Sequence, residues 1–297
     1  MYFFIYFLLS MGCQPSDVSR KPLDWLSEPN NKIFLQNSKI DGVLQLIEHK
    51  SLSETQAKEL SDFQGLSIYL DGLSSLPVPV ARQIAKFQVQ NISIANLQKM
   101  NLNAAQHIAS FSGKGITLRA PTLKPSVAQT LAFFDGERLT LLTSSLTKEA
   151  ALQLAKSKSQ SLAIHSDSLF LPDVIASFQN YKGKTLILLN SVFSPDITKE
   201  MTKLTVPNLQ LHSPNRITHH ALVPLERYQG EHITLVQTGM LHLEEAESLK
   251  RFQVKKITLQ GIQKLSEEAA KELAAYPGEL SAISLDQESK KWLKMYR

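Results

Sequence analysis

From Leu44 to about Gly278 the chain repeats one pattern of apolar and polar positions every 23 or 24 residues, ten times over. Each copy opens on two aliphatic residues two positions apart: Leu44/Leu46, Ile68/Leu70, Ile92/Ile94, Ile116/Leu118, Leu139/Leu141, Leu162/Ile164, Leu186/Leu188, Leu209/Leu211, Ile233/Leu235 and Ile257/Leu259. Alternation over so few residues predicts a short strand with one buried face. Seven or eight residues after the start comes a third large apolar residue, such as Leu76, Met100, Leu146, Leu169, Phe193, Leu241 or Leu265. Helix-start chemistry follows at Ser53, Asn101, Thr147, Ser194, Thr218 and Ser266, whose side-chain oxygens can accept from the orphan N–H groups of a first turn. Ser53-Glu54-Thr55-Gln56 can close a capping box, and Pro195 suits a first helical position.

A one-sided stripe comes next. Ala57, Leu60 and Phe63 mark it in the first copy, Ala246, Leu249 and Phe252 in the ninth, Ala270, Leu273 and Tyr276 in the tenth. That spacing predicts a short helix packed on the strand layer. Gly65, Gly113, Gly136, Gly183 and Gly230 then sit three residues before the next start, and Gly278 closes the tenth copy, where a left-handed helix C-cap is expected. Val89, Val206 and Val254 hold that place in other copies and require another geometry.

A fixed period of this length predicts an α/β repeat solenoid over residues 44–279, in which each unit packs only on its neighbours. The ends of such a stack need covering. Residues 23–43 carry Trp25, Leu26, Ile33, Phe34, Leu35, Ile40 and Val43 without the repeat and are read as an N-terminal cap. Residues 14–22, polar with two prolines, are read as a tether. In 280–297 the pattern leaves its register. Ile283 and Leu285 predict a last strand, and Trp292, Leu293 and Tyr296 one side of a terminal helix, together a C-terminal cap.

The strand–turn–helix unit and leucine pairs such as Leu139-Thr140-Leu141 resemble the leucine-rich-repeat superfamily. The resemblance implies one parallel sheet on a concave side, helices on the convex side, and a ligand- or protein-binding role. The departures are a Gly or Val where the family carries a leucine before the strand, and mixed residues (Leu73, Leu97, Ser144, Asp167, Ser191, Pro214) in place of an asparagine ladder.

Strand positions between and after the buried pair are expected to face solvent. In the second of these columns Leu142, His165, Leu189 and His212 follow one another, and Ile187 stands beside them in the first. Strands about 4.8 Å apart would make these five a contiguous patch. Two readings stay open: a recognition site with an apolar centre and polar rim, or aliphatic residues that a sheet simply tolerates.

The composition, 43% hydrophobic and 20% charged, is that of a folded chain. The formal net charge of +5 is scattered; the short clusters Lys255-Lys256 and Lys290-Lys291 form no basic stripe, so nucleic acid is not an expected partner. The single cysteine, Cys13, ends the apolar run of residues 1–12. This segment resembles a bacterial lipoprotein signal, with Gly12 before the cysteine that would carry the lipid. It departs from one in lacking a basic start and in placing Ser10 three residues before the cysteine. An uncleaved membrane-associated segment and a buried apolar N-terminus are the other two readings.

Catalytic chemistry is sparse. His165-Ser166-Asp167 cannot form a relay, because alternate strand side chains point to opposite faces. His219, His220, His242 and Glu244 lie one repeat apart and could be imagined on a metal, but they read more simply as polar helix-start residues. The run Glu244-Glu245-Ala246-Glu247 reads as a solvated helix face. No phosphate loop or dinucleotide fingerprint is present, and no cofactor is expected. The sequence therefore predicts a non-enzymatic binding module, lipid-anchored at the cell envelope, with a protein or glycan partner. The alternative is a packing component of the envelope without a soluble ligand.

Overall fold

The computed structural model describes residues 42–297. The signal, the tether and nearly all of the expected N-terminal cap lie outside the described residues. Eleven strands run through the rest: Val43–Gln45 (β1), Ser67–Tyr69 (β2), Asn91–Ile94 (β3), Gly115–Arg119 (β4), Arg138–Thr143 (β5), Ser161–Ser166 (β6), Thr185–Leu189 (β7), Asn208–His212 (β8), His232–Leu241 (β9), Lys256–Leu265 (β10) and Glu279–Ala282 (β11). Each is followed by a helix: Glu54–Leu60 (α1), Val78–Ile84 (α2), Leu102–Ala109 (α3), Pro125–Leu131 (α4), Lys148–Leu154 (α5), Pro172–Ala176 (α6), Pro195–Met201 (α7), His219–Leu225 (α8), Leu243–Lys250 (α9), Glu267–Ala274 (α10) and Gln287–Tyr296 (α11). A 3₁₀ turn, Ser177–Asn180, continues α6.

The strands form one parallel sheet in sequence order, β1 to β11. The register follows the repeat: Ile116, Leu139, Leu162, Leu186, Leu209, Ile233, Ile257 and Leu280 pair in succession. One continuous core lies between this sheet and the helix layer, built from the paired aliphatics, the third apolar column and the helix stripe. The caps at Ser53, Asn101, Thr147, Ser194 and Ser266 all accept from first-turn N–H groups, and Ser53 with Gln56 closes its capping box. Thr218 takes the same backbone place without a side-chain cap bond.

Four expectations are corrected. The C-terminal segment does not leave the register: Leu280 pairs with Ile257, Leu285 is buried, and Asp286 caps α11, so residues 279–297 form an eleventh unit. Ile283, expected within the last strand, is exposed beyond it. In the sixth unit the third apolar residue is Phe170; Leu169 points to solvent, because the spacing from the strand start there is eight residues and not the seven of the fifth and seventh units.

The fourth correction concerns the glycine column. None of the six has a left-handed backbone, a conformation found among the described glycines only at Gly42, Gly239 and Gly261. They are small for another reason. Each follows an aromatic ring by two residues (Phe63, Phe111, Phe134, Tyr181, Tyr228, Tyr276), and a β-carbon would overlap that ring. At Gly113 it would also lie 2.7 Å from the Gln90 carbonyl oxygen of the preceding unit, and at Gly278 it would lie 2.6 Å from that of Lys255. Val89 and Val254 stand after Phe87 and Phe252 in the same column and are buried, so the constraint acts unit by unit.

Candidate functional site

The face of the sheet turned away from the helices is where every unit places equivalent side chains. The register sets Arg119, Leu142, His165, Leu189, His212 and Val236 side by side across β4 to β9, with Ile187 in the neighbouring column. The five residues read from the sequence are thus brought together. Their expected exposure is not found: Leu142, Ile187, Leu189 and His212 are only 3–8% exposed. His165 is half-buried. Ladder spacing is the physical reason, since side chains about 4.8 Å apart cover one another. Ile187 and Leu189 pack with Ala163 into a small apolar cluster separate from the main core.

Leu142 has an additional cover. The guanidinium of Arg119 on β4 reaches the carboxylate of Asp167 beyond β6, at 3.2 Å, and so crosses β5. Ser144 Oγ donates to the same carboxylate oxygen at 3.3 Å. The sequence offered a signal for this pair that single-strand reading overlooks: the two residues lie two repeats apart.

Burial shapes the titrating groups on this face. His212 Nε2 meets Gln210 Oε1 at 3.3 Å, while its Nδ1 is buried without a partner among the described residues. Burial pushes His212 down to about 4. His165 is lowered by burial, with the Asp167 carboxylate opposing and Arg119 adding to the shift. Asp71 is raised by burial, partly offset by the hydrogen bonds it accepts from Ser93 Oγ (2.7 Å) and the Ala95 N–H (2.8 Å).

At the start of the strands the same face opens into a groove of about 330 Å³ that crosses β2 to β7. Asn91, Lys114, Glu137, Arg138, Lys184 and Thr185 stand along it, and Tyr69 closes one end. Lys114 and Glu137 pair at 3.4 Å, both well exposed. Sequence reading missed this lining because its residues precede the aliphatic pair, where polarity carries no pattern.

The imagined metal residues are engaged otherwise. His219 Nδ1 lies 2.7 Å from Ser248 Oγ and 2.9 Å from the Glu244 carbonyl, and its ring meets His220 edge-on at 5.6 Å. Glu245, read as solvated, is wholly buried beneath Arg216. No helix among the described residues is long and apolar enough to cross a membrane.

One sheet of parallel strands in sequence order, each strand followed by a turn and a short helix, decides the architecture. The fold is a leucine-rich-repeat-like solenoid. Among solved structures the chain is similar to one in the Rad7–Elc1 complex from yeast, with a TM-score of 0.49 and 15% identity, covering 82% of this chain and 75% of that one. It is also similar to a chain of the Drosophila Toll–Spatzle complex (TM-score 0.44, 11% identity) and one of the TLR13–ssRNA13 complex (0.40, 13%). Each of these two matches covers 82% of this solenoid but only 38% of the other chain. No family model matches the chain, and no curated protein matches it in sequence.

Proposed function

We propose that the protein is a non-enzymatic binding module that takes a protein partner, or a glycan, along the groove of its sheet, and that a lipid on Cys13 holds it at the cell envelope. The observation that supports the reading is the groove itself. It crosses six strands, about 24 Å at the usual strand spacing, while the columns beside it are filled by packing. A long, shallow, polar track of this kind suits an extended chain of about seven residues better than a compact small molecule. Arg138 near its middle and Lys184 at its β7 end add positive charge to it.

The test is affinity capture from the envelope fraction of the source cell with the wild-type protein and with the double variant Arg138→Glu/Lys184→Glu. The variant is expected to keep its circular dichroism and to lose the captured partner. Equal recovery by both proteins removes the groove as the site. Mass measurement of the Cys13 peptide tests the anchor, and an unmodified cysteine in an uncleaved chain overturns the localisation.

A further inference from the structure

The turn side of the solenoid, where strands give way to helices, carries an apolar patch distinct from the groove. Leu169, Leu171 and Val192 are 49–59% exposed and come from two adjacent units. Leu169 and Val192 hold equivalent places, each one residue before the buried Phe170 and Phe193. Leu171 occupies the N-cap of α6 and gives that helix no side-chain cap bond. Ser53, Asn101, Thr147, Ser194, Ser266 and Asp286 supply one at the same place, while Pro77, Lys124 and Thr218, like Leu171, do not. A leucine there forgoes cap stability and, unlike the other uncapped starts, places a large aliphatic side chain in water at 59% exposure.

The patch has a charged border. Glu149, Asp173 and Asp196 occupy the second position of α5, α6 and α7, forming one exposed acidic row beside the three apolar side chains. None of the three makes an ion pair among the described residues. Lys148 stands at the α5 end of the row and Lys199 one turn beyond Asp196 on α7, so the carboxylate of Asp173 on α6 lies farthest from a cation on its own helix.

We infer that this edge is a second docking surface, and that it takes a segment of a protein partner presenting bulky apolar side chains flanked by lysine or arginine. An apolar centre with a charged rim supplies affinity from the first and orientation from the second. The inference rests on the reading of the protein as a protein-binding module, and adds a site to it.

A library of displayed random peptides, selected on the wild-type protein and counter-selected on Leu169→Asp/Val192→Asp, tests it. Enriched peptides are expected to combine apolar and basic residues, to bind the wild type at least tenfold more tightly than the variant, and to weaken several-fold between 50 and 300 mM salt. Leu171→Ser separates binding from folding: it should raise the melting midpoint by about 2 °C and still weaken the peptide about tenfold. The Arg138→Glu/Lys184→Glu variant should bind the peptide as the wild type does. Loss of peptide there instead assigns the binding to the groove and overturns this site alone. Acidic or purely polar winners, no enrichment over the counter-selected variant, or full affinity in Leu171→Ser each overturn the inference. So does a dimer seen by light scattering that Leu171→Ser abolishes, because the occupant is then a second copy of the chain.

Discussion

An aromatic ring two residues before a strand approach leaves no room for a β-carbon at the residue between them and the strand. Gly183 shows the constraint most sharply, since its β-carbon would overlap the Tyr181 ring and hydroxyl. That hydroxyl is fixed by donating to the Ser159 carbonyl at 3.0 Å, as Tyr276 donates to Val254 at 2.5 Å. Gly183→Ala should therefore destabilise the protein by about 2 kcal/mol through overpacking, read from urea unfolding; a neutral result shows that the ring moves aside. His212 sets the second residue-level prediction. Its ordinary value of 6.5 falls to about 4 in the fold. Between those values the unfolded chain binds the extra proton, so stability is complete above pH 6.5 and is lost as pH falls towards 4. The contribution is on the order of 3 kcal/mol, and His165 and His232 are lowered in the same direction. His212→Leu should flatten the acid limb of a stability–pH profile, and an unchanged limb assigns it to other groups.

Among the elements, the helices are short because the period is short. Most span seven or eight residues, about two turns, and α6 only five. Such helices have little intrinsic stability, so their starts are tied to their neighbours. One carboxylate does much of this in the eighth and ninth units. Glu245 accepts from the Arg216 guanidinium (Nε at 2.9 Å), from the His219 N–H at 3.2 Å and from the His242 N–H at 2.9 Å. Glu245→Ala leaves all three donors without it, and should cost about 3 kcal/mol, measured by thermal unfolding. A loss below 1 kcal/mol means that water replaces the carboxylate. The ten-residue β9 and β10 are the other departure from the unit. Gly239 and Gly261, both left-handed, shift the ladder there so that pairing continues to Leu241 and Leu265.

For the whole molecule, a solenoid stabilised by nearest-neighbour contacts should lose its ends first. Among the described residues the eleventh unit pairs only with the tenth, and Trp292 packs from it against the core. In a Trp25→Phe background the Trp292 fluorescence should change at lower urea than the circular dichroism does; coincident transitions show instead that the stack unfolds as one unit. The sequence alone determined the strand–turn–helix unit, its period, most of its helix N-caps and its buried columns, because each is local chemistry repeated at fixed spacing. The same regularity located Leu142, His165, Ile187, Leu189 and His212 on one face. Only tertiary structure decided what water reaches. The ladder spacing buries most of that patch, the polar groove opens at the strand starts, and Leu169, Leu171 and Val192 stand out at the turn edge, since exposure depends on neighbours a full repeat away.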